Sequence, residues 1–89
     1  PDNVTVGVSV ETQSTADFRL RLLAELPIAH KNIICQPLLE KIDVEKYLDG
    51  VELVVVGGES GKNARFLNFD WVLDIREQCR RNNVSFEFR

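Results

Sequence analysis

The residues with most chemical content lie in one stretch, Val54-Val55-Val56-Gly57-Gly58-Glu59-Ser60-Gly61-Lys62-Asn63-Ala64-Arg65. A β-branched run meets paired glycines, then acid, hydroxyl and base, a pattern that predicts a buried strand emptying into a polar loop. Loops at the carboxyl ends of parallel strands hold ligands because rigid elements fix their position while the loop supplies polar groups. Glycines there let backbone N–H groups converge on an anion, or let a flat ligand come close. Three readings follow: a nucleotide-phosphate loop, a looser anion or cofactor contact, and a tight turn with solvated charges. The phosphate-loop pattern requires Gly, four residues, then Gly-Lys and a Ser or Thr. Val56 stands where its first glycine belongs, and Asn63 where its metal-binding hydroxyl belongs. Phe66-Leu67-Asn68 also delays any helical pattern, so the helix N-terminus that should receive the phosphate is missing. The other two readings stay open.

Further candidates fall at the ends of other predicted strands. Ser9 and Glu11 are placed to contact a ribose or a carboxylate, against the plainer reading of a strand terminus. Glu59, beside Gly57 and Gly58, can accept hydrogen bonds from an ammonium or ribose; otherwise it is a solvated loop carboxylate. Arg65 can clamp a carboxylate or phosphate bidentately, or pair with a nearby acid. Trp71 and Tyr47 lie on helix faces and are expected in the core, and His30 is expected in an exposed turn. No nucleophile–base arrangement assembles, so catalytic residues are unassigned and no metal-ligand set is expected.

Composition narrows the class. Eighty-nine residues make one small domain, residues 1–89, burying about 60 to 65% of its unfolded surface. A net charge of −3 and a pI near 5.1 lack the basic footprint of nucleic-acid binding. Arg80-Arg81 reads instead as the cationic end of a helix. No apolar run reaches membrane-spanning length, and Cys35 and Cys79 read as buried free thiols, so a cytoplasmic setting is expected. The chain contains no methionine and opens Pro-Asp-Asn directly before a strand, which suggests a segment of a longer protein.

The elements that must position these residues follow from periodicity. Val4, Val6, Val8 and Val10 alternate with Thr5, Gly7 and Ser9, predicting a strand. Ser14 with Asp17 resembles a capping box, and Phe18, Leu22 and Leu26, widened by Leu23, predict the buried stripe of a helix ending at Pro27. A second strand covers Ile33-Ile34-Cys35. Asp43 caps a short helix through Tyr47 and Leu48, closed by Gly50, and Leu53 to Val56 form the third strand. Asn68 caps a last helix bearing Trp71, Val72, Ile75 and Cys79, Asn82-Asn83 stop it, and Val84 to Phe88 alternate as a fourth strand. The order β-α-β-α-β-α-β predicts four parallel strands with right-handed crossovers. Ser9, Glu11, Gln36, Glu59 and Ser60 then share one rim.

Three blocks, Gly7-Val8-Ser9-Val10-Glu11, Cys35-Gln36-Pro37-Leu38-Leu39, and Val56-Gly57-Gly58-Glu59-Ser60-Gly61 with Ala64-Arg65, occur in a distinctive order. With the tail Asp70-Trp71-Val72, Ile75-Arg76, Gln78-Cys79 and Val84-Ser85-Phe86-Glu87-Phe88, they resemble an uncharacterised phage-related family of bacteria and their viruses. That family is itself similar to radical S-adenosylmethionine enzymes. The resemblance covers essentially the whole chain. It implies the carboxyl-terminal half of a partial (β/α) barrel, with Ser9, Glu11, Gln36, Gly57, Gly58, Glu59, Ser60 and Arg65 toward the cofactor. It also implies that the amino-terminal half of the parent carries a three-cysteine [4Fe–4S] cluster, which Cys35 and Cys79 do not match. No cofactor is expected in this segment itself; S-adenosylmethionine and the cluster belong to the full-length parent, whose missing half is the implied partner. The family usually has Glu where this chain has Gln36. The leading expectation is a non-catalytic half-barrel fragment of a possible enzyme. The alternative is an autonomous α/β module recognising an anion or a protein.

Overall fold

A computed structural model describes residues 4–62, 64 and 66–89. The elements run β1 (Thr5–Ser9), α1 (Gln13–Glu25), β2 (His30–Cys35), a 3-10 turn (Glu45–Tyr47), β3 (Val51–Val56), α2 (Phe69–Arg81) and β4 (Ser85–Phe88). The four strands form one parallel sheet in the order β1-β2-β3-β4. That is the sequential parallel order that strand–helix alternation predicts. The middle helix is the exception: only the 3-10 turn forms between β2 and β3. Pro37 and the stretch to Val44 hold no helical periodicity, and Gly50, at φ +83, closes the turn in the left-handed region that glycine tolerates best.

Alternation along the strands separates the sheet's two faces. Val10, Ile33, Cys35, Val54 and Val56 are buried on one face with Ala16, Leu20 and Leu23 of α1 and Val72, Ile75 and Cys79 of α2. On the other face Thr5, Gly7, Ser9, Ser85 and Glu87 are exposed. Val55, with Ile34 and Glu87 as its register neighbours, is the exception there, being buried. A register shift between Lys31 and Asn32 accommodates Glu52 without moving the apolar side chains that follow to the wrong face.

The buried stripe of α1 keeps Leu23 of the expected one but not its other members. Ala16, Leu20 and Leu23 face the sheet, while Phe18, Leu22 and Leu26 are 64%, 51% and 44% exposed. Both sets have helical spacing, and the one containing the small Ala16 is the one that lies against the sheet. The cap differs too. Thr12, not Ser14, caps the helix: the Thr15 amide donates to its hydroxyl at 3.3 Å, and the Thr12 amide donates to the Thr15 hydroxyl at 3.1 Å. For α2 the expectation holds, with the Asp70 amide donating to the Asn68 side chain at 2.9 Å and Asn83 at φ 56 beyond the end.

Side chains replace the missing helix in holding the β2–β3 connection. The buried Gln78 carboxamide donates to the Ile42 carbonyl at 3.1 Å and accepts from the Val44 amide at 2.9 Å. Arg81 grips Glu45 through Nε and Nη2, both at 2.9 Å, and this contact holds the Glu45 carboxyl below its ordinary range. Tyr47 donates to Asp17 at 2.8 Å, joining the turn to α1.

Two outcomes check this packing. Leu20→Ala should cost about 2 to 5 kcal/mol in urea unfolding, the range for a buried Leu, whereas Phe18→Ala should stay within about 0.5 kcal/mol; equal losses would mean that the outer stripe is also packed. Gln78→Leu should cost about 1 to 3 kcal/mol for each backbone group it strands, and an unchanged unfolding midpoint would show that water replaces the carboxamide.

Candidate functional site

The carboxyl ends of β1, β2 and β3 are tied together by backbone hydrogen bonds that continue past the sheet. Val10 donates to Ile34 at 2.8 Å, Gly57 to Cys35 at 3.0 Å, Leu38 to Gly57 at 2.9 Å, and Leu39 to Glu11 at 3.2 Å. The loops that carry the candidate side chains therefore start from a fixed base. The Gln36-Pro37 peptide is cis.

An open groove of about 310 Å³ lies on this rim, lined by Gln36, Pro37, Gly58, Glu59 and Ser60. Gly57 is buried behind Gln36 and lines neither rim cavity: a Cβ built there would lie 2.8 Å from Gln36 Cδ. A smaller pocket of about 120 Å³ adjoins it through Gly58 and Glu59 and is walled by Leu38, Leu39, Phe66, Leu67 and Trp71. Glu59 is thus shared by a polar groove and an apolar recess. Gly61, at φ +108, turns the loop back through a conformation that a side chain would strain.

The structure gathers Gln36, Gly57, Gly58, Glu59 and Ser60 but places Ser9 and Glu11 elsewhere on the rim. Arg19 Nη1 donates to the Ser9 carbonyl at 2.6 Å and reaches Glu11 Oε2 at 3.5 Å. The Glu11 amide donates to the Thr15 hydroxyl at 3.2 Å. These contacts fasten the end of β1 to the start of α1, and Glu11 and Ser9 line neither cavity. Arg65 lies outside the described residues. Arg19 carried no sequence signal, because its partners lie eight and ten residues away without local periodicity. Trp71 is half-buried against the core and walls the apolar recess, so it is less enclosed than its helical position implies.

His30 also differs from its expected place. It opens β2, half-buried, and its Nδ1 pairs with Glu52 rather than standing in a loop. With Thr5, Asn32, Leu53 and Ser85 this pair lines a groove of about 350 Å³ at the amino ends of the strands, opposite the rim. Among the described residues no group of three or more His, Cys, Asp or Glu is arranged to hold a metal ion. No helix among them is long and apolar enough to cross a membrane.

Cys35 and Cys79 are free and buried, as their positions on apolar faces predict. Burial, then the nearby Cys79 and Glu11, pushes the Cys35 thiol up to about 12; burial pushes Cys79 up to about 11. Both thiols are protonated at neutral pH and are neither nucleophiles nor ready metal ligands.

Fold and rim define an α/β protein whose sequentially ordered parallel sheet ends in a glycine-rich, acid-bearing loop. The chain belongs to the DUF5131 family, described as a protein of unknown function, which matches residues 1–89. No curated protein and no solved structure matches it.

The raised thiols make stability depend on alkaline pH. Their folded-state values lie above the ordinary 9.0, so their contribution is complete below that value and is lost as pH rises toward about 11 to 12. Urea unfolding should therefore show a larger loss between about pH 8 and pH 10.5 in the native chain than in Cys35→Ala/Cys79→Ala. An equal loss would mean that the thiols ionise as easily folded as unfolded.

Proposed function

We propose that this chain supplies the ligand-facing rim of a phage-related, radical-SAM-like (β/α) barrel, and that the amino-terminal half of a longer parent completes the wall. One observation carries the reading: the parallel sheet is covered by helices on one face only, with small and polar Thr5, Gly7 and Ser9 exposed on the other. Purely parallel sheets are ordinarily covered on both faces, so an open face of this kind suits the interior of a closed barrel. The aromatic flank supports the same reading: Phe69 and Phe88 meet as a tilted ring pair at 5.5 Å, and with exposed Leu73 they offer an apolar edge against which the parent's other half would pack.

The groove suits an adenosyl ligand. Glu59 and Ser60 offer hydrogen-bonding groups for ribose hydroxyls or an ammonium, and the Gly58 backbone allows a flat base to approach. S-adenosylmethionine would supply the alkylating or radical chemistry, and this chain would orient its nucleoside. The residues present do not fit an iron–sulfur cluster, because both described thiols are desolvated inside the core. Such a cluster would be held by the parent's other half. On this reading the chain alone is inactive and acts in the cytoplasm as part of the parent.

The test is titration with S-adenosylmethionine, read by amide chemical shifts. Affinity on the order of millimolar, about 4 kcal/mol, is expected because the methionine end has no partner here. Shifts should centre on Gln36 and residues 57–61. Shifts confined to the helical face, or none at saturation, would leave the rim as a plain turn and favour an autonomous module.

A further inference from the structure

We infer that Gln36 reads the base of the bound nucleoside, its carboxamide pairing with the adjacent donor and acceptor of an adenine edge. The inference rests on the adenosyl reading of the rim. Cys35 is the last residue of β2, buried on the helix-covered side and paired in register with Val56. One residue further, alternation turns Gln36 to the open face, opposite Gly57. A Cβ on Gly57 would lie 2.8 Å from Gln36 Cδ and 3.0 Å from both Cγ and Nε2. The side-chain Cγ, Cδ and Nε2 of Gln36 therefore lie along the glycine, in space that any other residue would fill. Gly57 has no positive φ, so close approach of a side chain, rather than backbone conformation, is what calls for glycine here.

Held in this way, the carboxamide borders the groove beside Pro37 and Gly58, and among the described residues it has no hydrogen-bond partner. A carboxamide presents one acceptor and one donor side by side, which match the amino group and ring nitrogen of adenine in a bidentate pair. A carboxylate at the same place could accept from the amino group but would face the lone pair of the ring nitrogen. Gln36 is thus a specificity residue, and Gly57 is the positioning residue that lays it flat.

Adenosine and purine riboside, which lacks the amino group, separate this inference from the adenosyl reading. Each is titrated against the 89-residue chain and followed by the Gly57 and Gly58 amide shifts. The native chain should favour adenosine about tenfold. Gln36→Ala should bind both nucleosides alike with an unchanged melting temperature, since the side chain is exposed. Gly57→Ala, which displaces the carboxamide while keeping Gln36, should lose most of the preference. Persistence of the full preference in Gln36→Ala would overturn the inference and leave the rim reading standing. Failure of both nucleosides to shift these amides in the native chain would overturn the two together.

Discussion

The strand order is the constraint on which everything else depends. When parallel strands follow one another in sequence order, crossovers of a single hand return every connection to the same side of the sheet. Both helices must then pack on one face, and the other is left to whatever the strands themselves present. The chain meets this asymmetry residue by residue. β1 places valines under α1 and Thr5, Gly7 and Ser9 on the open side, and β4 likewise exposes Ser85 and Glu87. The rim loops lie where the open face ends, so the candidate site and the asymmetry have one origin.

A single 3-10 turn stands where a second crossover helix would usually shield the centre of the sheet. The covering is made instead from irregular chain: Leu38, Ile42, Val44 and Leu48 are buried, and Gln78 satisfies the backbone groups that burial would leave unpaired. Irregular segments can be buried only when their polar backbone is accounted for in this way. Because the same connection begins at Gln36 and Pro37, its anchoring to α2 also steadies one wall of the rim groove. Stability and site geometry are coupled through a segment with little regular structure.

Much of this was legible in the sequence. Alternation in Val4 to Val10 and Val84 to Phe88, the Asn68 cap and the left-handed Gly50 and Asn83 are local signals, and local physics determines them. The glycine-rich strand end and its neighbour Gln36 were visible for the same reason. What stayed hidden required tertiary knowledge. Phe18-Leu22-Leu26 and Ala16-Leu20-Leu23 are equivalent as periodicities, and only the sheet chooses between them. Arg19 binding the end of β1 and His30 pairing with Glu52 across strands depend on register. The short helix expected from Asp43 through Tyr47 and Leu48 shrinks to the 3-10 turn Glu45–Tyr47, because so few residues before Gly50 leave no room for a full helical turn to propagate.

On the proposed reading the open side of the strand ends, rather than the helical side, receives an adenosyl ligand. A crystal structure of the chain soaked with S-adenosylmethionine at roughly tens of millimolar, well above the millimolar affinity expected of half a site, distinguishes the two sides. Density for the nucleoside is expected in the groove between Gln36 and Glu59, its base edge at the Gln36 carboxamide and its ribose toward Ser60. An empty groove at that concentration, or ligand seated against α1 or α2, would contradict that reading.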